Sequence, residues 1–114
     1  MPTHSILIVE DEPLIAMMLE DFIDAMGKQC VGVCDTVQSA LATIADENPD
    51  AVILDINLSG GEKSWPVADA LAERGIPFVL SSGGDEVTEG HRDRPRLAKP
   101  YTMDGVQKAL SSLG

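Results

Sequence analysis

Two short runs in this chain, Ile6-Leu7-Ile8-Val9 and Ala51-Val52-Ile53-Leu54, are apolar at every position. A strand with one wet face alternates apolar and polar side chains, so a strand apolar throughout is covered on both faces. Between and after these runs, apolar residues recur at helical spacing. Leu14, Ile15, Met18, Leu19, Phe22, Ile23 and Met26 form one such series, and Val37, Leu41, Ile44 and Ala45 a second. Doubly buried strands alternating with amphipathic helices imply βαβ units, hence a parallel sheet with helices on both faces. With 114 residues the chain has material for one core and one domain, residues 1–114.

The punctuation agrees. Asp11 and Glu12 provide an anionic start for the first helix, Pro13 suits its first turn, and Gly27 is a natural stop. A second strand is expected from about Gln29 to Cys34, then a helix capped by Asp35 or Thr36 and ending before Pro49. Ala51 to Leu54 reads as a central strand. A loop from Asn57 to Ser64 leads into a helix through Val67, Ala68, Leu71 and Ala72, closed by Arg74-Gly75. Ile76 to Ser81 reads as the fourth strand, Arg96 to Ala98 as a fifth, and Met103, Val106, Ala109, Leu110 and Leu113 mark a last helix. Residues 83–95 hold Val87 as their one sizeable apolar side chain, so the fourth helix of the series is expected to be short or disordered.

Charged residues gather where strands end. Glu10 and Asp11 follow the first run, Asp55 follows the third, and Lys99-Pro100 follows the fifth. Carboxyl ends of strands in an open α/β sheet converge on one crevice. Carboxylates meeting there repel by roughly 4 kcal/mol per pair at about 4 Å and an effective dielectric near 20. A hard divalent cation with oxygen ligands, assisted by the lysine ammonium, would offset that repulsion.

The rest of the composition mostly excludes. Nineteen acidic against eight basic residues give a net charge of -11, the wrong sign for nucleic acid or an anionic membrane surface. No apolar run is long enough to span a bilayer, and Met1-Pro2-Thr3-His4 has no features of a secretory signal, so a cytoplasmic location is expected. Cys30 and Cys34 would stand roughly 13 Å apart along a strand, at about 3.3 Å per residue, too far for a disulfide. They read as buried thiols in a reducing compartment. His4 and His91 lack partners for metal or catalysis and read as solvated surface. Trp65 suits a partner anchor or packing at a helix start, with packing the better reading.

From Ile6-Leu7-Ile8-Val9-Glu10-Asp11-Glu12 to Lys99-Pro100-Tyr101, the chain resembles the receiver domain of bacterial two-component response regulators. The acidic pair, the lone Asp55, Ser82-Gly83 after the fourth strand and Lys99-Pro100 carry that likeness, in order and at strand ends. The resemblance implies a flavodoxin-like three-layer sandwich with a five-stranded parallel sheet of order 2-1-3-4-5. That order is the one long known for chemotaxis receivers, so order and family are one inference rather than two. Gly60-Gly61-Glu62, the run Trp65-Pro66-Val67-Ala68-Asp69-Ala70-Leu71 and Pro77-Phe78-Val79 are similar to a stand-alone subgroup from alphaproteobacteria.

The resemblance also implies chemistry. Asp55 would accept a phosphoryl group from a sensor histidine kinase or a histidine phosphotransfer protein. Mg²⁺ would be held by Glu10, Asp11, Asp55 and the backbone carbonyl of Asn57. The family more often has Asp where Glu10 stands, and the extra methylene favours contact through water. Lys99, aimed inward by a cis bond to Pro100, would offset charge on the transferred oxygens, and Ser82 would hydrogen-bond the phosphoryl group. Ser81 competes for that last role; Ser82 is preferred because Gly83 after it matches the family's hydroxyl-then-small pattern. Arg96 stands where the family commonly has an aromatic ring that swings inward. The switch is therefore expected to be read out as ordering of residues 83–95.

The expected function is a phosphorylation-dependent switch that alters binding to a downstream protein partner, as a monomer, with dimerisation on phosphorylation left open. It would catalyse only its own phosphorylation and dephosphorylation, and no output domain is expected. A phosphate sink or phosphotransfer intermediate would use the same chemistry. An aspartyl-nucleophile phosphohydrolase would want an acid where Asn57 stands. A flavin binder would want a phosphate loop where Glu10-Asp11-Glu12 stands.

Overall fold

A computed structural model describes residues 5–56, 58, 63–82, 96–98 and 102–111. The elements in chain order are β1 (Ser5–Val9), α1 (Pro13–Ala25), β2 (Gln29–Cys34), α2 (Val37–Glu47) and β3 (Ala51–Asp55). There follow α3 (Trp65–Arg74), β4 (Phe78–Ser82), β5 (Arg96–Ala98) and α4 (Met103–Ser111). The strands form one parallel sheet of order β2-β1-β3-β4-β5, as expected. The helix expected within residues 83–95 lies outside the described residues.

Alternation along the central strands builds two cores. Leu7, Val9, Val52, Leu54, Phe78 and Leu80 point to one face and pack with Ala40 and Ile44 of α2 and Val67, Ala68 and Leu71 of α3. Ile6, Ile8, Ala51, Ile53 and Val79 point to the other and pack with Ala16, Leu19 and Ile23 of α1 and Val106, Ala109 and Leu110 of α4. The three layers thus come from strands with no polar side to turn outward.

Local signals set the helix ends. Thr36, rather than Asp35, caps α2: its Oγ1 accepts from the Ser39 N–H at 3.1 Å while the Ser39 hydroxyl oxygen accepts from the Thr36 N–H at 3.4 Å. That reciprocal pair satisfies two otherwise orphaned donors. Gly75 ends α3 at φ 72°, a left-handed turn that costs glycine little.

The edge strand β2 departs from simple alternation. Ile6 pairs with Cys30 but Leu7 pairs with Gly32, so an extra residue is inserted at Val31. The insertion puts Cys30 against the α1/α4 core and Cys34 in the α2/α3 core. Both thiols are free, but only Cys34 is buried. Cys30 is half-buried, a correction to the expectation that both would be covered. Burial, its first cause, raises the Cys30 pKa, which keeps the thiol protonated and unreactive at neutral pH.

Candidate functional site

The parallel register brings polar groups into one line. Ile8 pairs with Ile53, and Ile53 with Val79, forming an apolar row across β1, β3 and β4. Two residues further along each strand stand Glu10, Asp55 and Ser81, and Asp55 and Ser81 are direct partners in the ladder. The backbone holds this edge closed. The Glu10 N–H donates to the Cys34 carbonyl at 2.8 Å, the Ile56 N–H to the Ser81 carbonyl at 3.2 Å, and the Ser64 N–H to the Ile56 carbonyl at 3.0 Å.

Glu10, Asp11 and Asp55 each offer a carboxylate oxygen within 4.8 Å of the others. Glu10 is 2% and Asp55 3% exposed, while Asp11 is half-buried and opens the cluster to solvent. Oxygens about 2.1 Å from a magnesium ion lie roughly 3–4 Å apart, and calcium spaces them somewhat more widely. The cluster therefore needs little rearrangement to receive a hard divalent cation, and its donors are all oxygen. Glu10 Oε2 accepts from the Glu12 N–H at 3.3 Å, which pins the long arm at the start of α1. Glu12 itself stands at the helix N-cap without a side-chain capping bond.

Three of the sequence-expected site residues are thus together. Ser82 closes β4 opposite Ala98 of β5, but its side chain lies outside the described residues, as do Asn57, Lys99, Pro100 and the Arg96 side chain. Ser81, left as the competitor of Ser82, is 1% exposed and stands beside Asp55. Periodicity could not assign it, because the choice of face depends on register with β3. Trp65 is partly buried against the α2/α3 core, which favours packing over an exposed anchor. A separate concavity lined by Glu20, Asp21, Asp24, Lys28, Gln29 and Cys30 lies at the amino ends of the strands, away from the carboxylate cluster.

Comparison with known proteins agrees with this geometry. Residues 6–87 match the family model of the response regulator receiver domain. The solution structure of SdrG from Sphingomonas melonis Fr1 superposes with a TM-score of 0.90 at 62% identity, covering 97% of this chain and 96% of that one. The BeF3-activated conformation of SdrG from Pseudomonas melonis Fr1 gives 0.84 at 60% identity, covering 98% and 97%. The phyllosphere-induced regulator PhyR of Methylorubrum extorquens is 32% identical over 111 residues, 93% of this chain but 42% of that protein. The chain spans 34% to 54% of the length of the curated relatives it matches. The likeness to SdrG bears out the subgroup expected from Trp65-Pro66 and its neighbours.

Proposed function

The chain belongs to the response regulator receiver-domain family, and on that premise we propose that residues 1–114 act as a phosphorylation-dependent switch with Asp55 as phosphoacceptor. The observation that carries this reading is the convergence of Glu10, Asp11 and Asp55 oxygens within 4.8 Å at the carboxyl edge of the sheet. In this proposal the donor is a phosphohistidine of a sensor kinase or phosphotransfer protein. An Asp55 carboxylate oxygen attacks phosphorus and the new O–P bond forms. The P–N bond breaks, and its electron pair stays on the imidazole nitrogen. A carboxylate is a weak nucleophile, so positioning and charge neutralisation must supply the rate.

Glu10, Asp11 and Asp55, with the Asn57 carbonyl, would hold Mg²⁺. Bound there, the ion would neutralise charge on the transferred phosphoryl oxygens. Asp55 lies in a buried row whose backbone partners are fixed, so its carboxylate meets phosphorus with little reorganisation. Asp11, the more exposed of the cluster, stands at the entrance. Lys99 would place its ammonium beside the same oxygens, and Ser82 would donate its hydroxyl to one of them. The signal would then pass to a protein partner in the cytoplasm. Among the described residues no helix is long and apolar enough to cross a membrane.

The deciding experiment is incubation with Mg²⁺ and a small acyl phosphate, followed by intact mass. Wild type should gain one phosphoryl group and Asp55→Asn none. Equal labelling of the two would remove Asp55 from this role. Amide exchange in residues 83–95 should slow when a phosphate mimic is added, and unchanged exchange would defeat the expected readout through that segment.

A further inference from the structure

The sheet face that carries Glu10 and Asp55 carries one more polar side chain at the same level. Ser81 pairs with Asp55 in the parallel ladder. Such partners lie about 4.8 Å apart and send their side chains to the same face. One step below on that face are Ile53 and Val79, both inside the α1/α4 core. Ser81 therefore has hydrocarbon beneath it and a carboxyl group beside it.

Ser81 is 1% exposed, and its Oγ has no hydrogen-bond partner among the described residues. Its own carbonyl is engaged by the Ile56 N–H. A buried hydroxyl without a partner is costly and uncommon, and it asks for a physical reason. Alanine would fit the same place without that cost. The acceptor next to Ser81 in the row is the Asp55 carboxyl, the group whose charge and bonding change during phosphoryl transfer.

We propose that Ser81 is a positioning residue for phosphoryl transfer, whose hydroxyl donates to the Asp55 carboxyl in the loaded site. The proposal rests on the reading of Asp55 as phosphoacceptor and deepens it. In this proposal a turn about the Ser81 Cα–Cβ bond would carry the Oγ–H toward a carboxyl oxygen of its ladder partner Asp55. No bond to Ser81 forms or breaks; the hydroxyl fixes the plane of the carboxyl, so that one oxygen is presented to phosphorus. Its donor is satisfied only then, so the penalty of the resting state becomes a preference for the loaded one.

The test uses the whole chain with Mg²⁺ and beryllofluoride, a mimic of the aspartyl phosphate, read by the fluorine NMR signal of the bound anion. Ser81→Ala removes the hydroxyl, and Ser81→Cys keeps the side-chain shape with a slightly larger atom while losing the strong donor. Both should weaken beryllofluoride binding by about tenfold, the scale of a hydrogen bond to a charged group. The melting temperature of the metal-free protein should stay level or rise in both. Wild-type affinity in Ser81→Ala would overturn the proposal. So would full affinity in Ser81→Cys, or a fall in metal-free melting temperature parallel to the loss of binding, since each marks a packing role. If wild type itself binds no beryllofluoride, the reading of Asp55 fails, and the role of Ser81 falls with it.

Discussion

Ile8, Ile53 and Val79 lie side by side across β1, β3 and β4, and two residues along the same strands lie Glu10, Asp55 and Ser81. Both rows are buried almost completely. The first row gains from burial, at about 25 cal/mol per Å² of apolar surface removed from water. The second is penalised by it, because carboxylates lose solvation and face one another at short range. The difference shows how the apolar row supports a buried row of clustered carboxylates one pleat away. One repeat of the strand pleat separates the apolar row of the core from the row that carries the clustered carboxylates.

The comparison is broken most strongly in the apolar row. Ile53→Ala, at a position 1% exposed, should cost about 3–4 kcal/mol through lost burial and a residual cavity, read as a lower urea midpoint at unchanged slope. In the polar row the sign should reverse. Asp55→Asn removes one of the clustered charges and should stabilise the metal-free protein by about 1–3 kcal/mol, below the Coulomb scale because solvent and neighbours screen part of it. Magnesium sharpens the contrast. Wild type should gain about 2.7 kcal/mol at a hundredfold excess over its dissociation constant. Asp55→Asn should gain much less in the same titration, and equal gains would show that the cation binds elsewhere.

The smallest effect belongs to the bottom of the same face, where Cys30 pairs with Ile6. Its raised pKa means that the folded state holds the thiol proton more tightly than the unfolded chain does. The stabilising contribution is complete below the ordinary thiol value of about 8.5. It is lost as pH rises through the elevated one. Thermal melts between neutral and alkaline pH should show this slope in wild type and a shallower one in Cys30→Ala.

Much of this was legible in the residues. The runs at Ile6–Val9 and Ala51–Leu54 demanded cover on both faces, and Glu10, Asp11 and Asp55 were placed by standing at strand ends. Other features were not. Asp35 and Thr36 are both competent caps, and the reciprocal bond with Ser39 settles the choice. Cys30 and Cys34 both read as buried thiols, but the inserted Val31 turns them to opposite cores and leaves Cys30 half-buried. Nothing local marks that insertion, because it answers the register β2 must keep with β1.

Sequence alone determined the layered α/β architecture and the strand ends at which the carboxylates Glu10, Asp11 and Asp55 collect. Hydrophobic periodicity and chain punctuation act over a few residues and survive in one dimension. Tertiary structure decided that Ser81 stands beside Asp55, that Glu10 turns into the cluster and that the two cysteines part company. Each of these depends on how one strand is aligned with another, and alignment is set by contacts between segments far apart in the chain.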